Sequence, residues 1–384
     1  MANTFQFIGK IQAMKATDKF SPVEKKTYGS GWTNTTVKFN CISGTNRIMC
    51  LVQGGRWADD KKNGPIITLD KERDVIEVPW AHRFEQSEID KVIKFKRFII
   101  DLADSKKRGR LKYAAKVFEN GNATEELMNE VGCKTLDEVK AALEKSNSRC
   151  HEFLSEWDFA EYMAKVVASE KIKDSLFRIS GMQEVQYSPS KGRFYTNYRV
   201  NRVELVSNEE AQSANMMVDF YFDENCIDDS NFEHTGKAYL NGFTNYYDNS
   251  VKKTGFMPIT AVVRDAKWLD IIKRRFSDVE SEIKNIGLAV SIIDGAEILQ
   301  VTYDDLDDLT KEDVDCGMIK LEDAIAAVRG NKTSETIREL RHCGWRAGKN
   351  KTEETTYTKA DMKPASIEDT TAKDSTDIFD DDEI

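Results

Sequence analysis

YSPSKGRFYTNYRVNR, residues 187–202, sets four aromatic rings (Tyr187, Phe194, Tyr195 and Tyr198) among four cations (Lys191, Arg193, Arg199 and Arg202), with no acidic residue between them. Ser188-Pro189 and Lys191-Gly192 mark a turn, and the residues from Tyr195 to Val206 follow the period of two that belongs to a strand. Bases stack on aromatic faces while cations follow phosphates, so this mixture suits a single-stranded nucleic-acid surface; each stacked base contributes about 1–3 kcal/mol. The competing reading is a hairpin whose aromatics enter the core.

Working outward, strand signals precede the stretch at residues 175–181 and follow it at 216–222, 237–242 and 256–263. About five short strands make a small barrel. A similar set lies between Thr4 and Arg83, where Phe5, Phe7, Ile8 and Ile11 form one run and Val37, Phe39 and Cys41 alternate with polar residues. Both sets contain Ser-Pro, then a basic loop rich in Gly and aromatics, then a long alternating strand, which favours two copies of one fold. Helical spacing takes over at Ile89, Val92, Ile93, Ile99 and Leu102, and Thr135 with Glu138 has the spacing of a capping box. Further amphipathic stretches run through Phe159, Met163 and Val167 and through Trp268, Ile272 and Phe276. The expected organisation is α+β: a barrel at 1–83, a helical insertion at 84–156, a second barrel at 157–265, a helical region at 266–350 and a disordered acidic tail at 351–384.

The net charge of -10 comes from 56 basic and 66 acidic residues, but residues 352–384 hold eleven acidic residues and three lysines. The body is therefore nearly neutral, and an acidic whole does not exclude nucleic acid as a ligand. Seven scattered cysteines without a CxxC pair suggest reduced thiols in a cytoplasmic setting. No run approaches the roughly 20 apolar residues that span a bilayer, so no membrane role is expected.

Several further groups could meet a nucleic acid. Lys25, Lys26, Tyr28 and Trp32 precede the alternating strand of the first set, and Arg47 and Trp57 follow it. Between Lys91 and Lys116 ten basic residues meet two acidic ones, with Lys106, Lys107, Arg108 and Arg110 at a helix junction; a solvated face explains such a run about equally well. Tyr246 stands in another aromatic cluster with Lys252 and Lys253. Catalytic signals are weak: no GxxxxGK[ST], GxSxG, HExxH or GxGxxG occurs, and Glu138-Val-Lys140 has a nuclease-like form that helix capping also explains. No cofactor or metal is expected, and a binding protein is favoured over an enzyme.

Two strand-rich units, basic-aromatic loops, helical additions and an acidic tail together resemble the OB-fold single-stranded DNA-binding proteins of bacteriophage replication modules. The tip DIFDDDEI, residues 377–384, is similar to the acidic tip of bacterial single-stranded DNA-binding proteins through Phe379-Asp380-Asp381-Asp382, and departs from it at Ile384, where that family ends in Pro-Phe. The resemblance implies two OB-like barrels, sequence-tolerant binding of single-stranded DNA, and a role in DNA replication, recombination or repair in the cytoplasm, the host's if the chain is phage-encoded. It also implies that Ile378, Phe379, Asp380, Asp381, Asp382 and Ile384 recruit replication or recombination proteins, while the tail regulates access to DNA. An assembly or scaffold protein is the alternative, and a metal-dependent nuclease stands third.

Overall fold

Along β1 (Thr4–Ala13), Phe5, Phe7 and Ile11 turn inward and fix which side of the strand faces the interior. The structure is a computed structural model that describes residues 3–277, 280–298, 302–329 and 333–365. After β2 (Val23–Thr27), the strands β3 (Trp32–Ser43) and β4 (Asn46–Trp57) pair along their whole length, from Trp32 opposite Trp57 to Ser43 opposite Asn46. Val37, Phe39 and Cys41 on β3 and Ile48, Cys50 and Val52 on β4 are buried.

An insertion follows. The hairpin β5 (Ile66–Leu69) and β6 (Val75–Val78) packs on α1 (Gln86–Lys91) through Val78, Ile89 and Val92. Beyond β7 (Phe98–Asp101), the helices α2 (Ser105–Glu119), α3 (Glu125–Val131) and α4 (Leu136–Asn147) share a small core around Leu111, Leu127 and Val139. Thr135 and Glu138 form the capping box expected of them, which gives Glu138 a structural partner. The strand β8 (Cys150–Phe153) returns antiparallel to β7.

Next come α5 (Glu156–Val167), β9 (Leu176–Ser188) and β10 (Arg193–Val206). β9 pairs antiparallel with β1 and with β10, and β10 runs parallel to β4 with Tyr198 level with Cys50. A ring of five strands therefore closes in the order β1-β3-β4-β10-β9-β1. α5 buries Phe159, Ala160, Met163 and Val166 against it, and Gly54 allows the approach, because a Cβ there would collide with the backbone of Glu156.

The same arrangement repeats with β11 (Ser213–Phe222), β12 (Ile227–Asp228), α6 (Phe232–Thr235), β13 (Ala238–Asp248), β14 (Lys253–Val263), α7 (Ala266–Phe276) and β15 (Lys284–Ile298). After α8 (Asp308–Asp315) and α9 (Leu321–Arg329), β16 (Thr333–Trp345) closes a second ring, β11-β13-β14-β16-β15-β11, with β14 and β16 parallel. In both rings the order is first, second, third, fifth, fourth strand, and a helix joins the third to the fourth. β1 pairs with β11, so the rings are continuous in one sheet of a mixed α/β architecture. No helix among the described residues is long and apolar enough to cross a membrane.

Two expected boundaries are corrected by this pairing. β9 and β10, assigned from the sequence to a second barrel at 157–265, close the first ring instead. The region 266–350, expected to be helical, supplies β15 and β16 to the second. A period of two reports that a segment is a strand and which side is apolar, but not its partner.

Residues 351–365, expected to begin a disordered tail, are ordered. Arg346 Nη1 and Lys349 Nζ reach the fully buried Asp219 carboxylate at 3.1 and 3.3 Å, anchoring a strap on the second ring. β17 (Glu353–Glu354) pairs with β15, Tyr357 packs edge-on against Phe256 at 5.0 Å, and the Phe256 amide donates to the Lys363 carbonyl. Residues 366–384, including the proposed partner-binding positions from Ile378 to Ile384, lie outside the described residues.

His342 on β16 is buried between Trp268 and Trp345, at ring separations of 5.1 and 5.2 Å, and burial pushes its pKa from 6.5 down to about 4. The unfolded chain therefore takes up this proton first as the pH falls. Neutral His342 contributes its full stability above pH 6.5 and loses it on the way down to about pH 4. Urea unfolding at pH 7 and pH 4.5 should show the wild type losing about 2–3 kcal/mol more than His342→Phe. An equal loss in both proteins would mean that the imidazole already reaches solvent.

Candidate nucleic-acid interface

At one end of the first ring, the chain from β2 turns through Tyr28 to Gly31, where the amide of Tyr28 donates to the carbonyl of Trp32 and Gly31 takes φ +86. The turn presents Trp32 on the outer face of β3 and β4. Its indole lies across Gly55, where any Cβ would strike the ring, and meets Trp57 edge-on at 5.4 Å and 77°. Trp32 remains 36% exposed and Tyr28 45%. Lys26 Nζ sits 5.1 Å from the Tyr28 ring and Lys62 Nζ 5.9 Å from the Trp57 ring. Two rings on one face with cations beside them can stack bases and hold phosphates.

Lys25 and Arg56 lie on the other side of these strands, over the buried ring of Trp157 on α5 at 4.7 and 5.2 Å. Lys25 is also tied to Glu161 at 3.1 Å and Arg56 to Asp60 at 2.7 Å. Nearby, Arg83 bonds Asp158 of α5 at 2.7 Å and is sandwiched between Trp80 and Phe84 at 4.1 and 4.3 Å. Sequence reading missed Arg83, Phe84 and Lys62; for the first two the signal was WAHRF at 80–84, an aromatic-cation mixture without helical or strand period.

The β9–β10 hairpin divides its aromatics between two roles. Phe194 packs on Tyr187 at 4.9 Å and on Tyr246 at 5.8 Å, joining the two rings. Tyr246 is buried, and its hydroxyl accepts from the amide of Ala365 at 3.1 Å. Tyr198 enters the first core edge-on to Phe5 and Phe7, at 5.3 Å from each, and burial raises its phenol pKa. These three rings are therefore packing residues, a correction to their expected stacking role. Arg199 is committed to Glu156 at 2.7 Å and Glu184 at 3.3 Å, and Arg202 contacts Glu204 at 3.5 Å. Beside Tyr195, Arg193 and Lys191, both exposed at the hairpin tip, lie 4.8 and 5.9 Å from its ring.

In the insertion, Arg108 grips the buried Asp101 carboxylate with both terminal nitrogens and donates from Nε to Ser146, so it holds α2 in place. Lys106 pairs with Glu210 at 2.5 Å and Arg110 with Glu130, while Lys107 is exposed. Arg47, also exposed, donates to Gln12 at 2.9 Å. No cluster of three metal-ligating side chains occurs among the described residues.

The parallel register sets Arg199 level with Leu51, so Trp57 lies six residues beyond that level and Tyr195 four residues before it. At about 3.3 Å per residue, the two aromatic-cation clusters stand roughly 30 Å apart along the strands.

No family model matches this sequence, and no curated protein matches it. Among solved structures, a deletion mutant of the single-stranded DNA binding protein from Thermus aquaticus aligns at 10% identity and a TM-score of 0.30, covering 76% of this chain and 86% of that one. The wild-type protein aligns at 8% identity and 0.29, with 76% and 85% covered. Similarity at this level decides neither fold nor function.

Proposed function

We propose that each ring is an OB-like barrel and that the chain binds single-stranded DNA in a sequence-tolerant way. The observation that carries this reading is the exposed Trp32 laid across Gly55 beside Trp57, Lys26 and Lys62, on the second and third strands of the first ring. That strand pair and the loops flanking it are where OB barrels hold oligonucleotides. The Tyr195 cluster lies at the tip of the hairpin that joins the fourth and fifth strands, on the same ring. Titration of a fluorescent oligo(dT) at low salt tests the reading directly, and absence of binding would end it.

In the second ring the corresponding strands, β13 and β14, are overlaid by the strap of Tyr357, Met362 and Ala365, so DNA binding is assigned to the first ring. The strap ends at Tyr246, beside Phe194 of the β9–β10 hairpin. Ala365, the last described residue, thus lies beside the hairpin that carries Lys191 and Arg193, and residues 366–384 that follow it hold eight acidic residues and one lysine. The tail competes with DNA there and offers Ile378, Phe379 and Ile384 to replication or recombination proteins once released. A chain truncated after Ala365 should bind oligo(dT) more tightly, on the order of tenfold at low salt, with the gain fading as salt rises. Equal affinities would reduce the tail to a solubilising role. Truncation after Lys351 would also strip Tyr357 and Met362 from the second ring.

A further inference from the structure

The basic run from Lys91 to Lys116 is divided in the fold. Lys91, Arg97, Lys106, Arg108 and Arg110 are paired with the carboxylates of Glu88, Glu152, Glu210, Asp101 and Glu130 in turn. Lys94, Lys96, Lys107, Lys112 and Lys116 are exposed and have no carboxylate partner among the described residues. Two exposed rings stand among them. Phe95, 57% exposed, has Lys96 Nζ 6.0 Å from its ring, and Tyr113, 54% exposed, has the Arg110 guanidinium at 5.2 Å. Lysines that only solvate a surface do not require exposed rings beside them, whereas a surface that binds unpaired bases and their phosphates requires both.

These groups border a cleft of about 540 Å³ between the helical turn Lys94–Lys96 and α2. Each carboxylate that lines it is held by an arginine, as Glu152 is by Arg97 and Asp101 by Arg108, so Lys94 and Lys112 are the lining cations left to meet an anion. Gly109 lines the α2 wall one turn before Lys112, and Lys116 follows one turn later on the same face. Glycine inside a helix weakens it relative to alanine, yet a Cβ at Gly109 would meet nothing within 4 Å. Packing does not require this glycine; what it provides is a cleft wall open to a ligand that approaches the helix closely.

The position of the cleft relates it to the Trp32 face. β4 and β7 both run parallel to β10, with Cys50 level with Tyr198 and Asp101 level with Glu204. Trp57, seven residues beyond Cys50, is therefore close to the level at which β7 leads into α2, at the opposite end of β10 from Tyr195. A strand that crosses the Trp32 face away from the β9–β10 hairpin leaves the ring at the end where the insertion stands.

We propose that the insertion is a second contact surface for the same single strand, in which Lys94, Lys112 and Lys116 hold phosphates while Phe95 and Tyr113 stack bases. The inference rests on the single-strand reading above. Exposed rings of this kind engage unpaired bases and not those of a duplex, which already stack on one another.

Oligo(dT) of about ten and of about forty nucleotides separates the two surfaces, since one OB barrel holds about 4–16 nucleotides. On the longer strand, Lys94→Ala/Lys112→Ala/Lys116→Ala should bind about tenfold more weakly at low salt and flatten the salt slope by about 2, at about 0.7 per phosphate. Phe95→Ala/Tyr113→Ala should lose about tenfold and keep the slope. Gly109→Leu should weaken the same binding without lowering the thermal unfolding temperature, an outcome that a merely structural glycine does not give. All three proteins should bind the shorter strand within about twofold of the wild type. Every substituted position is exposed, so folding is preserved. Wild-type affinity of the variants for the longer strand, an equal loss on both lengths, or a loss on duplex DNA alone overturns the proposal and leaves single-strand binding standing. Failure of the wild type to bind either strand overturns both.

Discussion

Replacing Trp32 by alanine should weaken oligo(dT) binding by about tenfold or more, since one stacked base is worth about 1–3 kcal/mol and a tenfold change corresponds to about 1.4 kcal/mol. The ring is partly exposed and rests on Gly55, so its removal opens no internal cavity, and thermal unfolding should change little. Trp57→Ala should act in the same direction, and the double variant should lose less than the sum, because the two rings touch at 5.4 Å and share a site. Salt gives an independent readout. Each phosphate neutralised contributes about -0.7 to the slope of log affinity against log salt, so Lys26→Ala and Lys62→Ala should flatten the slope, whereas Trp32→Ala should lower affinity and keep the slope. A Trp32→Ala protein that binds as the wild type does would remove the principal support for the reading.

The largest effect on stability should come from Asp219→Ala, at about 3–5 kcal/mol, the cost of breaking a buried charge network by taking out one partner. Asp219 is fully buried, and Arg346 and Lys349 converge on it at 3.1 and 3.3 Å, with Lys349 also reaching Asn285 Oδ1 at 2.7 Å. Without the carboxylate, two mostly buried cations face each other and the start of the strap loses its anchor. Urea unfolding measures the loss, and limited proteolysis should cut residues 346–365 sooner in the variant. A change below about 1 kcal/mol would mean that both cations move out to solvent at little cost.

Many of the elements were legible in the sequence, although the helical spacing read through Ile99 and Leu102 gave way to the strand β7. Phe5 with Phe7, Val37 with Phe39, and Thr135 with Glu138 carry local signals that hold in the structure, because period and capping depend on residues within one or two turns. Membership of a ring was not legible, since β9 returns to β1 from far along the chain and nothing in its own alternation names that partner. β15 and β16 were obscured by Asp294, Glu339, Arg341 and other polar residues. Composition pointed alike to Trp32, Trp57 and Tyr195 of the proposed site and to Tyr198 and Arg108, which have the right chemistry and other tasks. Only the tertiary partners, Phe5 and Phe7 for Tyr198 and Asp101 for Arg108, separate them. Arg83 and Phe84 escaped notice because their stack is completed by Asp158, distant in sequence.

The insertion between β4 and α5 also bears on how the chain is made. β1, β3 and β4 emerge from the ribosome early, yet the edges of that three-stranded sheet wait for β9 and β10, the last of which ends at Val206. At roughly 5–20 residues per second, the delay is on the order of ten seconds or more. During that time Phe5, Phe7 and Phe39 lack the fourth and fifth strands that cover them, so the nascent amino-terminal sheet is a ready substrate for a holdase chaperone and for pairing with a neighbouring chain. The second ring waits about half as long, because β14 ends at Val263 and the closing strand β16 at Trp345. Refolding of the full chain should accordingly show a faster phase from the second ring and a slower, more concentration-sensitive phase from the first.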